Sequence, residues 1–276
     1  MSDIRLVATD LDATLLDHNH KIPEDNRVAL ERCAAKGVEV VVATGRALST
    51  VPREARSLSG VRYLVCANGA NIYDNATEEL LYAKYLSREA VESVWDLIEN
   101  AAIMKEIFWK GEPYTSRSAY DDLERFGVPD WFRDYVLSTR IPVDDLDAFT
   151  REHIEQIENI NFNYANYHIR DFIVNRLRVD DGRLYTLTAS LPFNIEIGGM
   201  GVDKAGAIAR IAEWLGVPRE QCLCFGDNSN DVSMIKWAGI GVAVSDGVPD
   251  AIAAADYVTE PSEESGVARA LEHFGL

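Results

Sequence analysis

The sequence predicts an α/β protein whose core is an open parallel β-sheet, interrupted by an inserted α+β domain. Three observations support this class. Short apolar strands alternate with amphipathic helices over residues 1–82 and again over residues 197–276, as in open parallel sheets. Residues 83–196 between them are rich in aromatic side chains and less regular. A chain of 276 residues also has room for two domains, since one domain takes roughly 150 residues.

The first core segment alternates strands with helices. An apolar strand from Ile4 to Thr9 leads into Asp10. Pro23 suits the first turn of a helix that Gly37 ends. Val38–Ala43 is a nearly continuous β-branched run, as expected for a parallel strand that is buried on both faces. The segment closes with a helix from Ala47 to about Leu58 and a strand from Tyr63 to Ala67.

The second core segment repeats this alternation. Its first helix carries an apolar stripe from Ala205 to Leu215 and ends at Gly216. The elements expected after it are a strand over 222–225, a helix over 232–237, a strand over 240–244, a helix over 249–254, a short strand at 257–258 and a helix over 267–274.

The inserted region begins with a helix. Ser87 is placed to cap this helix, and its apolar face starts at Val91. Polar and apolar residues then alternate over 161–168, and a second strand pattern covers 170–178. We therefore expect a mixed α+β domain between the two halves of the parallel sheet.

The overall charge excludes some classes of partner. The chain has 27 Lys and Arg residues against 45 Asp and Glu residues, a net charge of −18. Such a surface repels nucleic acid, whose binding depends on cationic side chains. No segment approaches the roughly 20 apolar residues that span a bilayer, and the first residues do not resemble a signal peptide. We expect no nucleic-acid or membrane partner, and a monomer or weak homodimer.

The four cysteines are Cys33, Cys66, Cys222 and Cys224. Cys222 and Cys224 could be read as metal ligands, but no second pair matches their spacing. Their apolar neighbours favour a buried strand instead. Reduced thiols without an export signal predict a cytoplasmic protein.

Polar side chains follow four predicted core strands, at the edge where open parallel sheets bind their ligands. Lys204 opens the helix before the fourth of these strands. The strand ends, in order, carry Asp10-Leu11-Asp12-Ala13-Thr14, then Thr44-Gly45-Arg46, then Asn68-Gly69, and finally Gly226-Asp227-Asn228-Ser229-Asn230-Asp231.

These residue types fit phosphate chemistry with a hard metal ion. Residues i and i+2 of an extended chain point to the same side, so Asp10 and Asp12 can face one pocket. Converging carboxylates repel one another unless a cation lies between them, and Mg²⁺ binds carboxylates, water and substrate phosphate. Phosphoryl transfer needs positioning and charge neutralisation, which Mg²⁺, Lys204 and the Thr44 hydroxyl can supply. These groups also give an anionic substrate the local positive charge that the acidic surface lacks.

The four motifs and their order resemble those of the haloacid dehalogenase superfamily. They are Asp10-x-Asp12-x-Thr14, Thr44, Lys204 and Gly226-Asp227-x-x-Asn230-Asp231. Thr44-Gly45-Arg46, Asn68-Gly69 and an insert after the third strand are similar to the Cof-like phosphatases with a class II, subclass B cap. The resemblance implies a Rossmann-like core over 1–82 and 197–276, and a cap over 83–196 that selects the substrate.

The resemblance also implies a role for each matching residue. Asp10 is the nucleophile that forms an aspartyl-phosphate, and Asp12 is the general acid and base. Mg²⁺ is held by the Asp10 carboxylate, the Asp12 backbone carbonyl and Asp227, with Asp231 acting through water or behind these ligands. The groups expected to hold phosphate oxygens are Thr44, Gly45, Lys204, Asn230 and the backbone amide of Leu11.

The chain departs from the family pattern at two places. Ala13 stands where the family usually has glycine, and a positive φ there would cost about 1 kcal/mol. Ser245-Asp246-Gly247 replaces a common Asn-Ala pair near the last core strands. Neither change removes a catalytic group.

In the inserted region several residues stay open between binding and structural roles. Asn161, Asn163, Asn166 and His168 can bond sugar hydroxyls or lie on a solvated strand face. The aromatic residues can line a pocket or form the core of the insert itself. These aromatic residues are Phe108, Trp109, Tyr114, Tyr120, Trp131, Phe132 and Tyr135.

The resemblance favours a Mg²⁺-dependent hydrolase of small phosphorylated metabolites, with sugar phosphates as the main class. The first alternative is a phosphomutase related to phosphomannomutases, which needs cap cations for a second phosphate. The arginines available for this are Arg117, Arg125, Arg133 and Arg140. The second alternative is a non-catalytic module that binds magnesium and phosphate.

Overall fold

A computed structural model of the chain describes residues 3–126, 128–163, 167–190 and 194–276. It divides into two compact units. The first comprises Met1–Arg46, Val51–Tyr82 and Asp203–Leu276, and the second Ala47–Thr50 and Ala83–Val202. The second unit therefore extends past the predicted boundary at residue 196, and it also includes a short segment from the first half of the chain.

The elements of the described residues alternate as an α/β sequence predicts. The strands are β1 (Leu6–Thr9), β2 (Glu39–Ala43), β3 (Val61–Cys66), β4 (Asn71–Asp74), β5 (Leu80–Ala83), β6 (Met104–Trp109), β7 (Glu112–Ser116), β8 (Ile141–Val143), β9 (Ile157–Asn163), β10 (Tyr185–Thr188), β11 (Asn194–Gly199), β12 (Cys222–Gly226), β13 (Ile240–Val244) and β14 (Tyr257–Thr259). The α-helices are α1 (Glu24–Ala35), α2 (Arg53–Arg56), α3 (Arg88–Ile98), α4 (Arg117–Tyr120), α5 (Asp130–Thr139), α6 (Leu146–Glu152), α7 (Tyr167–Leu177), α8 (Lys204–Leu215), α9 (Val232–Trp237), α10 (Pro249–Ala254) and α11 (Gly266–His273).

The first unit is built on a sheet with the order β14-β13-β12-β1-β2-β3-β4-β5 in the described residues. The strands from β14 to β3 are parallel to their neighbours, and β4 runs antiparallel to β3. In register, Thr9 of β1 lies between Phe225 of β12 and Val42 of β2. The carboxyl ends of these three strands therefore lie side by side, and the predicted α/β class with a parallel core is confirmed.

One face of this sheet packs against α8. Leu6 and Val41 from the strands and Ile208 and Ile211 from the helix belong to one buried apolar cluster. Each such side chain contributes about 1.5–3 kcal/mol by leaving water. Gly216 ends α8 in the left-handed conformation, with φ 62°, as the sequence predicts. This packing fixes the start of α8, and with it Lys204, against the strand ends.

The second unit is an α+β structure with the sheet order β10-β11-β9-β6-β7-β8 in the described residues. One sheet face carries Ile107, Ile160 and Ile197, which pack with Val94 of α3 and Ile173 of α7. The Ser87 side chain caps α3 by accepting a hydrogen bond from the Ala90 N–H. The opposite sheet face is mixed, since Asn161 of β9 lies beside Glu106 of β6 and Asn163 lies beside the apolar Met104.

Two predicted elements of the sequence are wrong. The helix expected from Ala47 to Leu58 is a single turn at Leu48–Thr50 followed by the four residues of α2. Pro52 separates them in an extended conformation, since proline lacks the N–H that a continuous helix needs. The strand expected over 170–178 is helix α7, because Ile173, Val174 and Leu177 have helical spacing and are all buried.

Most of the cap aromatic residues pack against one another. Trp109 stacks on His153 with ring centroids 3.9 Å apart, and Phe149 lies edge-on to Trp109 and close to Tyr114. Phe132 lies against Tyr135, whereas Trp131 is exposed. These contacts favour the interpretation that the aromatic residues form the core of the insert and do not line a pocket.

The four cysteines are buried and form no disulfide. Cys222 and Cys224 lie on β12, as the apolar pattern predicts. Among the residues that the structure describes, no helix has the length and apolar character needed to cross a bilayer.

Candidate active site

The turn after β1 presents Asp10 and redirects the chain. The Asp10 N–H donates to the Phe225 carbonyl at 2.9 Å, which ties the end of β1 to β12. The residues Leu11–Leu15 then form a wide helical turn, closed by a hydrogen bond from the Leu16 N–H to the Leu11 carbonyl at 2.8 Å. Asp10 is buried. The turn thus holds a carboxylate at the end of a central strand.

Ala13 adopts the left-handed conformation within this turn, with φ 57° and ψ 11°. An L-residue pays roughly 1–2 kcal/mol for this conformation, whereas glycine adopts it freely. Alanine at this position, where the family pattern has glycine, therefore carries the backbone strain that the sequence predicts. The loop keeps its shape because the Leu11–Leu16 hydrogen bond and the burial of Thr14 and Leu15 hold it on both sides.

The turn after β12 is organised by Asp231. Its Oδ2 atom accepts hydrogen bonds from the N–H groups of Asp227 and Asn228, each at 3.0 Å. Gly226 must be glycine here, because a Cβ atom at this position would lie 2.4 Å from the Asp231 Cβ. Asp231 thus has a structural role in the turn, and its other oxygen remains available to the site.

Lys204 connects the two turns. It is the first residue of α8, and the Asp203 side chain caps that helix by accepting from the Gly206 N–H at 2.7 Å. Its ammonium group donates to Asp10 Oδ1 at 2.5 Å and to Asp231 Oδ1 at 2.6 Å. The Lys204 side chain is fully buried. A buried cation at a helix start is unfavourable for the helix dipole, so the two carboxylates stabilise it there.

Burial and neighbouring negative charge both act on the carboxyl groups of Asp10 and Asp227. Burial, followed by the charge of Asp231, raises the pKa of Asp10 well above its usual range. Burial and Asp231 likewise raise the pKa of Asp227 to about 7. Burial alone would lower the pKa of Lys204, but Asp10 and Asp231 raise it above its ordinary value. One lysine therefore neutralises only part of the negative charge in the cluster.

The cluster fits a hard divalent cation. Asp10, Asp227 and Asp231 are buried, and each offers a carboxylate oxygen within 4.8 Å of the others. All of these donor atoms are oxygens, as Mg²⁺ prefers. The raised pKa values of Asp10 and Asp227 reflect burial first and repulsion second, and a bound cation would offset both by stabilising the carboxylate form. The donor set therefore matches the predicted cofactor in charge and in chemistry.

Thr14 orients Asp227, a contact that the sequence motifs do not predict. Its hydroxyl donates to Asp227 Oδ1 at 2.8 Å in a buried environment. The hydrogen bond joins the turn after β1 to the turn after β12. Thr14 stood in the sequence motif, but its partner lies 213 residues away along the chain.

Arg46 is a further site residue that the sequence reasoning missed. Its guanidinium binds the Asp12 carboxylate in a bidentate manner, at 2.8 Å from Nε and 2.6 Å from Nη2. The Asp12 side chain is 44% exposed and the Arg46 side chain 12%. The Asp12 carboxylate is thus held by an arginine, outside the cluster of Asp10, Asp227 and Asp231. In the sequence, only the Thr44-Gly45-Arg46 triplet indicated that Arg46 lies near the site.

The predicted phosphate-binding residues lie on the same edge of the sheet. Thr44 is buried, and its hydroxyl oxygen accepts from the Arg46 N–H at 3.1 Å. A Cβ atom on Gly45 would lie 3.0 Å from Asn68 Oδ1. Asn68 has φ 56° and accepts from Asn230 Nδ2 at 3.0 Å. Asn68 therefore contacts two strand-end turns, beyond forming a turn of its own.

The second unit gives mixed outcomes for the predicted substrate contacts. Asn161 and Asn163 are buried on β9, and His168 lies exposed on α7 instead of on a strand. Asn166 lies outside the described residues. Each of the four candidate arginines has a contact of its own: Arg117 with Asp144 at 3.7 Å, Arg125 over the Phe126 ring, Arg133 with Asp130 at 3.0 Å and Arg140 with Glu106 at 2.7 Å.

Comparisons with known proteins agree with this architecture. A family model of haloacid dehalogenase-like hydrolases matches residues 7–271. The chain is 32% identical over 275 residues to a 5-amino-6-(5-phospho-D-ribitylamino)uracil phosphatase of Bacillus subtilis, covering 99% of this chain and 97% of that one.

Solved structures show the same fold. A haloacid dehalogenase-like hydrolase from B. subtilis superposes with a TM-score of 0.83 at 28% identity, covering 98% of this chain and 99% of the other. A sugar phosphatase of subclass IIB superposes with a TM-score of 0.79 at 23% identity, covering 98% of this chain and 99% of the other. The chain belongs to the haloacid dehalogenase-like hydrolase family and is a phosphatase of its Cof-like group.

Proposed function

We propose that this chain is a Mg²⁺-dependent phosphomonoesterase that acts on small phosphorylated metabolites through an aspartyl-phosphate on Asp10. The observation that supports this most is the position of Asp10. Its carboxylate lies at the carboxyl end of a central strand, bonded to the buried Lys204 and within 4.8 Å of Asp227 and Asp231. This arrangement offers one nucleophile in a site with fixed positive charge.

The proposed metal ligands are the carboxylates of Asp10 and Asp227 and the backbone carbonyl of Asp12. Asp231 acts from behind these ligands, because its oxygens already bind Lys204 and two backbone N–H groups. When bound, Mg²⁺ would neutralise the charge of the phosphate oxygens and of the cluster. Thr14 fixes Asp227 in the orientation that this role needs.

The first step is an in-line displacement at phosphorus. A carboxylate oxygen of Asp10 forms a bond to phosphorus while the bond from phosphorus to the ester oxygen breaks. Asp12 donates a proton to the departing alkoxide, which leaves as an alcohol. Lys204 stays bonded to Asp10 and neutralises negative charge in the transition state.

The second step hydrolyses the aspartyl-phosphate. Asp12, now a carboxylate, takes a proton from water, whose oxygen attacks phosphorus. The bond from phosphorus to the Asp10 oxygen breaks, which releases inorganic phosphate and regenerates the nucleophile. Thr44, Gly45, Asn230 and the Leu11 amide are the proposed donors to the phosphate oxygens throughout. Arg46 holds Asp12 in the carboxylate form, the form in which Asp12 accepts this proton between the two steps.

The proposed substrate class is a phosphate ester of a small hydroxylated metabolite, with sugar phosphates as the main group. Two comparisons support this choice. One relative is named for a phosphorylated ribitylamino compound, and one structural neighbour is described as a sugar phosphatase. For this chain we infer the same broad class, a phosphate ester of a hydroxylated compound.

The test is hydrolysis of p-nitrophenyl phosphate and of a panel of phosphorylated metabolites, with and without Mg²⁺. Wild-type enzyme should release phosphate only with the metal, and Asp10→Asn should be inactive. Asp25→Asn, an exposed acid on α1, is the matched control and should keep wild-type activity. Near-wild-type turnover by Asp10→Asn would contradict the mechanism.

The same assay separates a phosphatase from a phosphomutase. A phosphatase releases inorganic phosphate from a monophosphate without any added bisphosphate. A mutase instead interconverts two monophosphates and depends on a bisphosphate activator. Three of the four candidate cap arginines pair with different carboxylates, which supports the hydrolase.

A further inference from the structure

Three consecutive residues after β3 have left-handed backbone conformations. Ala67, Asn68 and Gly69 have φ angles of 49°, 56° and 103°. Glycine adopts such angles freely, whereas residues with a Cβ atom are strained there. Strain of this kind persists only where the surrounding contacts hold it, and it is concentrated at functional sites. The segment Ala67–Gly69 is here called the left-handed turn.

The left-handed turn lies against two other segments of the first unit. The Asn68 N–H donates to the Thr44 carbonyl at 3.1 Å, which joins it to the turn after β2. A Cβ atom on Gly69 would lie 2.1 Å from the Asp203 carbonyl oxygen, so glycine lets the turn approach the start of α8. The left-handed turn therefore contacts the segments that carry Thr44 and Lys204.

The Asn68 side chain contacts a third segment, the turn after β12. Its Oδ1 atom accepts a hydrogen bond from Nδ2 of Asn230 at 3.0 Å. Asn68 is 5% exposed and Asn230 is half-buried, so water competes little for this bond. A Cβ atom on Gly45 would lie 3.0 Å from the same Oδ1 atom. The Asn68 amide is therefore enclosed between Gly45 and Asn230.

The direction of this hydrogen bond decides how the Asn230 amide is oriented. A side-chain amide has a carbonyl oxygen that accepts hydrogen bonds and an NH₂ group that donates two. Because Asn68 accepts one of these N–H groups, the amide nitrogen of Asn230 is fixed on the side of the left-handed turn. The flipped amide would present its oxygen there, and that oxygen repels a phosphate oxygen. The bond to Asn68 therefore selects the donor group of Asn230.

We propose that Asn68 is a positioning residue that orients the Asn230 amide to donate its second N–H to a phosphate oxygen. This inference rests on the function proposed above, in which Asn230 is one of the phosphate donors. Asn68 acts through Asn230 and takes no part in the reaction at phosphorus. An amide suits this role better than a carboxylate, since a negative charge at this place would repel the phosphate.

The first experiment measures the binding of inorganic phosphate to the full-length protein with Mg²⁺ by calorimetry. Asn68→Gly removes the amide and tolerates the left-handed backbone, whereas Asn68→Ala removes the same amide and keeps the strain. Both variants should raise the Kd for phosphate about 10-fold, as expected for a weakened hydrogen bond to a charged group. Asn68→Ala should also unfold at a lower urea concentration than Asn68→Gly.

The same measurement can overturn the inference. A Kd in Asn68→Gly within about 3-fold of the wild-type value would show that the amide does not orient a phosphate donor. A rise in Kd in Asn68→Ala alone would follow the strain of the backbone and would give Asn68 a structural role. Failure of both variants to fold would give it a structural role as well.

A double-mutant cycle separates positioning from a general effect on the site. Asn230→Ala removes the donor itself and should raise the Kd for phosphate about 10-fold or more. In the Asn230→Ala background, Asn68→Gly should raise the Kd by less than about 2-fold, because no amide remains for it to orient. Equal effects of Asn68→Gly in the two backgrounds would overturn the inference.

Glu78→Gly is the matched control for glycine at a left-handed position. Glu78 has φ 59° and is exposed in the turn between β4 and β5. This turn lies near the start of β3, away from the left-handed turn at its end, since the Asn75 N–H donates to the Arg62 carbonyl at 2.8 Å. Glu78→Gly should bind phosphate with the wild-type Kd.

Turnover separates this inference from the proposed function. With p-nitrophenyl phosphate and Mg²⁺, Asn68→Gly should raise KM about 10-fold and change kcat by less than about 3-fold, because the proposed bond is made in the ground state and the transition state alike. If wild-type enzyme hydrolyses this ester but Asn68→Gly changes neither Kd nor KM, the positioning role fails and the phosphatase stands. If the wild-type protein binds phosphate without hydrolysing any ester, the proposed function is contradicted, and the binding cycle still decides the role of Asn68.

Discussion

Replacement of Ala13 by glycine tests whether the turn after β1 carries backbone strain. Ala13 has φ 57°, which costs an L-residue roughly 1–2 kcal/mol relative to glycine. Glycine loses more backbone entropy on folding, which offsets about 0.5–1 kcal/mol of that gain. Ala13→Gly should therefore raise the free energy of unfolding of the first unit by about 0.5–1 kcal/mol. At roughly 2–4 °C per kcal/mol for a chain of this size, Tm should rise by about 1–4 °C.

Urea unfolding and calorimetry measure this change, with fluorescence and circular dichroism compared because two units can unfold separately. Ala253→Gly is the matched control, since Ala253 is exposed within α10. In a helix the same substitution should destabilise by about 0.5–1 kcal/mol. If Ala13→Gly destabilises the protein as much as Ala253→Gly does, the strain in the turn is not a stability cost and the reasoning fails.

Three further predictions concern the metal, the lysine and the cysteines. Mg²⁺ at about 100 times its dissociation constant should stabilise the enzyme by about 2.7 kcal/mol. The Tm should therefore rise with Mg²⁺, fall back with EDTA and stay unchanged in Asp227→Asn. An equal rise in Asp227→Asn would mean that the metal binds elsewhere. Lys204→Met should abolish activity and lower the free energy of unfolding in urea by about 3–5 kcal/mol, because it leaves the buried Asp10 and Asp231 carboxylates without their cation. A decrease below about 1 kcal/mol would contradict the buried ion pairs. A thiol reagent should modify no cysteine in the native enzyme and all four after denaturation. All four cysteines are buried, and burial raises the pKa of Cys222 to about 11. Rapid labelling of the native enzyme would contradict that burial.

The sequence predicts the core of the site because its signals are local. Asp10 and Asp227 each follow a short apolar strand, and the parallel-strand rule alone brings such ends to one edge. Lys204 follows the capping residue Asp203, so the start of α8 was visible as well. The structure adds that Lys204 bonds Asp10 and Asp231 at once, a detail that no local pattern carries.

The contacts that the sequence reasoning missed depend on tertiary pairing. Arg46 reaches Asp12 across 34 residues, and Thr14 reaches Asp227 across 213. Each residue has an ordinary place in its own segment, so only the folded arrangement of the turns shows its partner. The alternation over 161–168 predicted a strand there, but β9 spans Ile157–Asn163 and α7 begins at Tyr167.

The two wrong elements also have physical causes. In the segment after Thr44, the apolar pattern favoured one helix, but Pro52 removes a backbone donor and divides it. In the segment around Ile173, β-branched residues favoured a strand. Helix α7 instead forms because Ile173, Val174 and Leu177 all reach the apolar core at helical spacing.

The account depends most on Asp10 as the nucleophile, and trapping the aspartyl-phosphate tests this directly. Asp12→Asn keeps the nucleophile but removes both the acid of the first step and the base of the second. Because p-nitrophenolate leaves without protonation, phosphorylated enzyme should accumulate with p-nitrophenyl phosphate and Mg²⁺. Acid quenching, borohydride reduction and peptide mapping should then place the modification on Asp10 alone, and none should form in Asp10→Asn. Modification of another residue, or turnover by wild-type enzyme without any phosphorylated intermediate in either protein, would contradict the account.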